Sequence, residues 1–168
     1  MIPQQQIVTK LSEIELLGKQ ESQNRYQVGE SFLSLFCFMG CSPNIELFPK
    51  DNNQAYCYIE IPHASTTTKC IISKKPKIPR CPHCKTDLNH LAEQLKADCN
   101  LSINCQACSK AINPAELNWR KTAFFAKNSI IIGNIYEAEA IPDQKLLDVL
   151  EQSTNVAWRY AYIQTSSK

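Results

Sequence analysis

Glycine is scarce in this chain, and its scarcity excludes the glycine-rich loops that hold phosphate groups. Only four glycines occur among 168 residues, and none belongs to a P-loop or to the dinucleotide-binding pattern Gly-x-Gly-x-x-Gly. The hydrolase pattern Gly-x-Ser-x-Gly and the zinc-protease pattern His-Glu-x-x-His are missing as well. The sequence therefore offers no recognisable catalytic motif and favours a non-catalytic protein.

Long hydrophobic runs are missing too. The longest apolar stretch, "FLSLFCFMGC" from 32 to 41, falls well short of the roughly 20 residues that a membrane-spanning helix needs. The start of the chain, "MIPQQQIVTKLSEIELLG", has neither the basic beginning nor the continuous apolar segment of a secretory signal. The sequence thus predicts a cytoplasmic protein without a membrane partner.

Net charge is small, at +2, but it is unevenly distributed. Between Pro62 and Thr86 there are six basic residues and no acidic one, whereas the rest of the chain has 12 basic and 16 acidic residues. We call this group the basic strip; its members are Lys69, Lys74, Lys75, Lys77, Arg80 and Lys85. Such a concentration of positive charge indicates an acidic partner.

Cysteine, in contrast, is abundant, with nine residues. In a reducing cytoplasm, cysteines are metal ligands, buried thiols or reactive thiols more often than disulfides, and an odd number cannot pair completely. Four of them form two Cys-x-x-Cys pairs, Cys81 with Cys84 and Cys105 with Cys108, separated by 20 residues. Of the other five, Cys37 and Cys41 are four residues apart and could form half of a second metal site, while Cys57, Cys70 and Cys99 are scattered. Core packing is the favoured interpretation of these cysteines.

Two such pairs can supply the four sulfurs of a tetrahedral metal site. Structural zinc prefers this environment, and the 20-residue gap is at the upper edge of the spacing typical of zinc. A rubredoxin-like iron site and dithiol redox chemistry are the alternatives, because four thiolates also suit iron and a single pair can cycle as a disulfide. A closed shell of four thiolates has no open position for substrate, which argues against a catalytic ion.

The segment from about residue 80 to 112 resembles the zinc ribbon, a module in which two Cys-x-x-Cys turns hold one zinc ion. Ribbons often have glycine directly after the second cysteine of each turn, where this chain has Lys85 and Ser109. The resemblance implies one structural zinc ion, and it implies nucleic-acid contacts, protein contacts or scaffolding as the role of the module.

The order of predicted elements favours an α+β fold, with a small mixed sheet, helices on one face and the ribbon-like module inserted. We expect an N-terminal arm or peripheral helix over 1–28, one discontinuous domain over 29–79 and 113–168, and the module over 80–112. Within the module, Asp87 is a candidate N-cap of a helix whose apolar face holds Leu88, Leu91, Ala92 and Leu95.

Apolar periodicity predicts the remaining elements. Residues 30 to 40 favour a buried helix ended by Gly40, with a buried strand as the alternative. We expect strands over 44–48 and 55–62, joined as a hairpin, and over 68–73, 100–104, 129–141 and 156–164, with a helix over 142–155. The last strand, helix and strand would form a right-handed crossover if the strands are parallel.

A second candidate binding element is Trp119-Arg120-Lys121, which combines a large ring with two cations that could stack on bases or contact phosphates. Trp158-Arg159-Tyr160 is a weaker candidate of the same kind, and core packing of the Trp is the alternative for both. The first candidate carries the prediction. With the basic strip, it predicts a non-catalytic zinc protein that binds an acidic partner, either nucleic acid or an acidic protein surface. A thiol or iron redox enzyme and a purely structural assembly subunit are the alternative functions. The sequence does not specify an oligomeric state.

Overall fold

Short strands and three helices make up the described part of the chain in this computed structural model, which covers residues 2–39, 45–49, 55–98, 103–136 and 139–164. The helices are α1 (Gln4–Glu13), α2 (Leu91–Ala97) and α3 (Gln144–Thr154). The strands are β1 (Leu17–Gln20), β2 (Arg25–Val28), β3 (Phe36–Phe38), β4 (Tyr58–Glu60), β5 (Lys69–Ile72), β6 (Ile103–Asn104), β7 (Ala111–Ile112), β8 (Ala123–Ala126), β9 (Ile131–Gly133) and β10 (Ala140–Pro142).

The α+β class predicted from the sequence is confirmed, although the strands do not form one mixed sheet. Within the described residues they form a four-stranded sheet in the order β1-β2-β4-β9 and three two-stranded sheets, β10-β3, β5-β8 and β6-β7. Every pairing among them is antiparallel. Of these pairings, β1-β2 and β6-β7 join consecutive strands, whereas the others join strands that are far apart in the chain.

The chain divides into two compact units. Unit 1 comprises Met1–Ser65 and Asn128–Arg159, and unit 2 comprises Thr66–Lys127 and Tyr160–Lys168. Each has apolar side chains of its own in a buried cluster. The two pairs of cysteines and the whole basic strip belong to unit 2, so this unit contains both signals that the sequence emphasises.

The predicted module boundaries at residues 80 and 112 enclose a shorter segment than unit 2, and that division stays a prediction. At the N-terminus, α1, β1 and β2 occupy the segment predicted to be an arm or peripheral helix. Ile7, Leu11 and Val28 from this segment are buried in the core of unit 1, a role that the prediction did not give them.

Helix α1 ends in a turn that folds its apolar side back toward the sheet. The Leu16 N–H donates to Leu11 O at 2.9 Å and the Glu15 N–H donates to Ser12 O at 3.0 Å, the bond pair of a Schellman motif. Glu15 occupies the left-handed position of this motif, with φ of 57°. The motif brings Leu16 and Leu11 together, and both are buried in the core of unit 1.

Strand β4 confirms the alternation that the sequence predicted for 55–62. Cys57, Ile59 and Ile61 are fully buried, while Tyr58 and Glu60 between them are partly exposed. The predicted hairpin partner does not form a regular strand over 45–48, but the Cys57 N–H donates to Glu46 O at 2.6 Å. The predicted turn between the two runs lies outside the described residues.

The helix predicted from residue 30 is wrong. Phe32–Ser34 form a single 3₁₀ turn, and the chain then continues as β3, so the alternative of a buried strand holds for Phe36–Phe38. Phe32 and Phe36 are buried with their ring centroids 4.8 Å apart, whereas Leu33 points outward. The predicted stop at Gly40 lies outside the described residues.

The C-terminal prediction is correct for the helix and wrong for the strand that follows. Helix α3 begins where Asp143 Oδ1 accepts the Lys145 N–H at 2.8 Å, and Asn155 ends it in the left-handed conformation. The run predicted as one strand over 129–141 contains β9 and overlaps β10, which ends at Pro142, and residues 156–164 form no regular strand. The predicted crossover is therefore wrong.

Unit 2 is built on the antiparallel pair β5 and β8, with the short helix α2 beside β5. The predicted strand over 68–73 is thus confirmed, but its partner is β8. Helix α2 begins at Leu91, and His90 rather than Asp87 precedes it, so the predicted N-cap is wrong. The predicted apolar face of the helix is confirmed, because Leu91 and Leu95 are buried beside Trp119.

Candidate metal centre and basic surface

The first cysteine pair is on a tight turn closed by backbone hydrogen bonds. The Lys85 N–H donates to Cys81 O at 3.0 Å, and the Cys81 N–H donates to Thr86 O at 2.9 Å. Lys85 has φ of 64°, in the left-handed region. This conformation lets the chain reverse directly after Cys84, which directs both sulfurs to the same side of the turn.

The second pair repeats the same geometry. The Ser109 N–H donates to Cys105 O at 2.7 Å, the Cys105 N–H donates to Lys110 O at 2.9 Å, and Ser109 has φ of 59°. Strands β6 and β7 flank this turn as a hairpin. Lys85 and Ser109 thus adopt the left-handed conformation at the positions where zinc ribbons often have glycine.

The two turns bring the four sulfurs together, with all Sγ atoms within 4.8 Å of one another. Cys81 Sγ lies 3.9 Å from Cys108 Sγ, and Cys84 Sγ lies 3.6 Å from Cys105 Sγ. A tetrahedral ion with bonds of about 2.3 Å to sulfur requires sulfurs about 3.8 Å apart. The spacing therefore fits a tetrahedral metal ion and is far too long for a disulfide of about 2.0 Å.

The four cysteines differ in their exposure to solvent. Cys81 and Cys105 are buried, Cys108 is half-buried and Cys84 is exposed. Ile112 is buried beside the cysteines. An ion held by these four sulfurs would have a complete coordination shell, so its chemistry would be to fix the two turns rather than to bind a substrate.

Hydrogen-bond donors around the sulfurs favour the thiolate form at two positions. The Thr86 hydroxyl, 3.3 Å from Cys84 Sγ, and the Thr86 N–H lower the pKa of Cys84 to about 6. The Cys84 N–H lowers the pKa of Cys81 in the same way. Such donors also offset the negative charge of metal-bound thiolates, as expected of an arrangement made for a cation.

Cys108 is different, because its thiol is protonated at neutral pH. The Lys110 N–H favours the thiolate, but burial and the three neighbouring cysteines outweigh it and raise the pKa of Cys108 to about 11. A metal ion must therefore displace at least this proton. Acid opposes metal binding at such a site, since protons and the ion compete for the same sulfurs.

The residues flanking the first turn have ordinary partners. Arg80 Nε lies 2.8 Å from Asp87 Oδ1 in an exposed ion pair, so Asp87 braces the entry to the turn instead of capping a helix. Lys85 Nζ donates to Pro82 O at 3.0 Å across the turn. Arg80 and Lys85 are exposed members of the basic strip, but both are engaged locally.

The middle of the basic strip is held against a second basic segment. The Ser73 N–H donates to Thr122 O at 2.9 Å, and the Lys77 N–H donates to Thr122 Oγ1 at 2.9 Å. Thr122 directly follows Arg120 and Lys121. We call this arrangement the basic surface; its exposed cations are Lys74, Lys75, Lys77, Arg120 and Lys121.

Trp119 is a core residue and does not belong to this surface. Its exposed fraction is 4%, its ring packs against Phe125 at a centroid distance of 6.2 Å, and its Nε1 donates to Pro114 O at 2.8 Å. The ring therefore has no free face for a base. The binding role predicted for Trp119 is wrong, because the buried position that its size favours is the one it occupies.

Arg120 and Lys121 form the tip of a tight turn in an unfavourable conformation. The Thr122 N–H donates to Trp119 O at 3.1 Å, and φ is 50° at Arg120 and 64° at Lys121. Two consecutive positive φ values characterise a type I′ turn, where Asn and Gly are preferred. The left-handed conformation costs backbone energy at Arg and Lys, whose side chains do not favour it.

Tyr160 belongs to the weaker candidate Trp158-Arg159-Tyr160, and Tyr162 was not singled out from the sequence. The Lys121 ammonium lies 4.0 Å from the centroid of the Tyr160 ring and contacts its hydroxyl, and the Tyr160 and Tyr162 rings meet edge to face at 5.8 Å. Both side chains are partly exposed. Their spacing of two residues was the available signal, since it places both rings on one side of an extended segment.

Charge separates strongly between the two units. By sequence, unit 2 has 12 basic and 4 acidic residues, a net charge of +8, whereas unit 1 has 6 basic and 12 acidic residues, a net charge of −6. A divalent ion bound by four thiolates would reduce the charge of unit 2 only to about +6. The overall charge of +2 therefore conceals a highly basic unit.

The other cysteines and histidines add no second centre. Within the described residues, the four cysteines are the one group of three or more side chains spaced to hold a metal ion. Cys57 is buried, and burial raises its pKa to about 12, so its thiol is inert. Cys37 is exposed, whereas Cys41 and Cys99 lie outside the described residues.

Comparison with models of protein families, with curated proteins and with solved structures gave no match. None of the helices in the described residues has the length and apolarity needed to cross a membrane.

Proposed function

We propose that this chain is a non-catalytic zinc protein that binds nucleic acid through the basic surface of unit 2. The observation that carries the proposal is the separation of charge, which gives the metal-bearing unit a net charge of +8 by sequence. Nucleic acid is the partner with the densest regular array of negative charge. Cations that contact its phosphates gain affinity by releasing condensed counterions.

Zinc would act as a structural element in this proposal. Cys81, Cys84, Cys105 and Cys108 would hold the ion, and the ion would connect the two turns. The basic strip leads directly into Cys81, with Pro76 and Pro79 stiffening its last residues. Metal binding by Cys81 would therefore restrain the part of the basic strip that precedes it. This restraint would lower the conformational entropy that the lysines lose when they bind phosphates.

The geometry of unit 2 supports phosphate contacts from more than one direction. Lys74 and Lys75 lie in a bend directly after β5 and Lys77 follows it, while Arg120 and Lys121 come from the turn that is hydrogen-bonded to this segment through Thr122. An acidic protein could also engage these cations. Its binding would lack the steep salt dependence that counterion release from a nucleic acid produces.

Reversing two charges of the basic surface should test the proposal. We expect Lys75→Glu with Lys77→Glu to weaken binding of a fluorescently labelled 20-nucleotide oligomer at least tenfold, because two phosphate contacts are lost. In the unmodified protein, raising salt from 50 to 200 mM should weaken binding of this single strand about sevenfold if two phosphates are contacted and about eighteenfold if three are. Fluorescence anisotropy measures both effects.

The matched control reverses two exposed lysines of unit 1, Lys19→Glu with Lys145→Glu. This variant has the same net charge as the test variant, so equal losses in both would mean that only overall charge matters. Binding that is insensitive to salt, or no binding of any oligomer by the metal-loaded protein, would contradict the proposal. Metal content and circular dichroism of each variant show whether its fold is intact.

Arg120→Asn should separate binding from stability. Asn tolerates the left-handed conformation at φ of 50° better than Arg does, so we expect the free energy of unfolding to rise by about 0.5–1 kcal/mol. Loss of the cation should lower nucleic-acid affinity severalfold. Denaturant titration and anisotropy on one preparation test both changes; a variant that is less stable, or that binds as tightly as the parent, would show that Arg120 is not retained for its charge.

A further inference from the structure

We propose that the nucleic acid is single-stranded and that Tyr160 and Tyr162 stack on its unpaired bases. This inference rests on the proposed function and names the class of partner. Proteins that bind single strands combine cations that follow the backbone with aromatic rings on which bases stack. Unit 2 has both components within one hydrogen-bonded region.

The two tyrosines lie on a segment held between the two sources of positive charge. On one side, the Tyr162 N–H donates to Lys121 O at 2.6 Å. On the other side, the Lys74 N–H donates to Gln164 O at 3.1 Å and the Gln164 N–H donates to Ser73 Oγ at 3.1 Å. A strand crossing this region would therefore meet the rings with cations on both sides.

The orientation of the two tyrosine rings is compatible with stacking of bases on them. They meet edge to face with an interplanar angle of 76°, which leaves each ring a face that its neighbour does not cover. One face of Tyr160 is occupied by the Lys121 ammonium. That ammonium lies where it can also contact the phosphate next to a stacked base.

A groove beside the basic strip extends the same path. It has a volume of about 220 Å³, and its lining combines apolar Ile78, Leu88 and Ala92 with the cations Lys74, Lys77 and Lys96; Glu93 also lines it. A lining that combines apolar and cationic side chains fits an unstacked base and its phosphates. Because Lys74 borders both the groove and the tyrosine segment, one strand could occupy both.

The described part of unit 2 is poorly suited to a duplex. Major-groove recognition uses an exposed helix or a two-stranded ribbon. Of the described ribbons of unit 2, β5-β8 has Lys69 as its one exposed residue, and β6-β7 has only two residues in each strand. Helix α2 has seven residues, and its exposed side chains Glu93, Gln94 and Lys96 carry charges of both signs. In a duplex the bases stack on each other, so the tyrosines would contribute little.

The test compares a labelled 20-nucleotide strand of mixed pyrimidines with the same strand annealed to its complement, as DNA and as RNA. We expect the metal-loaded protein to prefer the single strand at least fivefold. Tyr160→Ala with Tyr162→Ala should abolish this preference and leave duplex affinity and metal content unchanged. Tyr160→Phe with Tyr162→Phe keeps the rings and should keep the preference.

Photo-crosslinking with a 5-bromouracil strand keeps the test decisive if the alanine variant does not fold. Adducts on the peptide containing Tyr160 or Tyr162 support the inference, and adducts confined to other peptides overturn it. Equal or tighter duplex binding also overturns it, while salt-dependent duplex binding leaves the proposed function standing. Absence of binding to every strand and duplex would overturn both.

Discussion

Replacing Cys105 by Ser should reduce the metal content from about one ion per chain to nearly none and abolish the cooperative unfolding of unit 2. Cys105 is buried and its Sγ lies 3.6 Å from Cys84 Sγ, so the substitution removes a buried sulfur ligand from the cluster. Structural zinc contributes on the order of 10 kcal/mol in small zinc-dependent folds. A domain typically has a free energy of unfolding of about 5–15 kcal/mol, so little of this stability would remain in unit 2 without the ion.

The small apolar core of unit 2 explains why the effect should be so large. Its buried cluster consists of Leu91, Leu95, Ile103 and Trp119. Among the described residues, the cluster around the cysteines adds Ile112, and Pro79 is buried two residues before Cys81 in the chain. A core of this size gives a metal-free segment insufficient apolar burial to offset the entropy lost on folding.

The two tryptophans permit separate observation of the two units. Trp119 lies in unit 2 and Trp158 packs against the core of unit 1. In a Trp158→Phe background, indole fluorescence reports on unit 2 during thermal unfolding, while elemental analysis gives the metal content. We expect Cys105→Ser, or chelation of the unmodified site, to shift Trp119 emission to the red before heating begins.

Cys37→Ser is the matched control, because Cys37 is an exposed thiol in unit 1. Its metal content and melting should equal those of the parent. Retention of a full metal equivalent by Cys105→Ser, or unchanged melting after the ion is removed, would show that the cluster is not a structural metal site. A coloured protein containing iron would support the rubredoxin-like alternative, and metal-free protein with oxidised pairs would support dithiol chemistry.

The cysteine cluster was predictable because its determinants are local in sequence. Two residues between cysteines fix a turn, and two such turns with unsatisfied ligands can reach a common ion. The helix over Gln144–Thr154 was predictable for a similar reason, since Asp143 caps it and its apolar positions repeat with helical period. Both depend on residues within a few positions of each other.

The pairing of strands was not predictable in the same way. The sequence predicted a strand over 68–73 without a partner, and strand β5 pairs with β8, whose first residue follows the last residue of β5 by about 50 positions. Residues 156–164 have the β-branched and aromatic composition of a strand, but extended backbone there is held by isolated bonds to Lys74 and Lys121. Composition favours extended structure without specifying a partner.

The run from 32 to 39 shows why short apolar segments are ambiguous. Phe32, Leu33, Phe36 and Met39 match one face of a helix, but the same letters fit a turn followed by a strand. The structure resolves the ambiguity by pairing β3 with β10, a contact across about 100 residues. Met39 and Leu33, which the helix would have buried, are 68% and 50% exposed.

Neighbouring alanine substitutions distinguish the two structures for this run. Phe32 is 1% exposed and packs against Phe36, so Phe32→Ala should lower the free energy of unfolding of unit 1 by about 3–5 kcal/mol. Leu33→Ala should change it by no more than about 0.5 kcal/mol, because half of the Leu33 side chain is already in water. Denaturant unfolding in a Trp119→Phe background, with Trp158 as the reporter, measures both.

Comparing the two variants is informative because a helix predicts similar losses of unfolding free energy for Phe32→Ala and Leu33→Ala. On a helix, Phe32 and Leu33 would lie four and three residues before Phe36, and both would pack on the same face as Phe36. Phe32→Ala and Leu33→Ala would then each remove buried surface and each cost several kcal/mol. In the 3₁₀ turn and strand, Phe32 and Phe36 are buried and Leu33 lies outside them. Equal losses of unfolding free energy in the two variants would therefore contradict the observed packing of unit 1. A large loss in Phe32→Ala alone would agree with it.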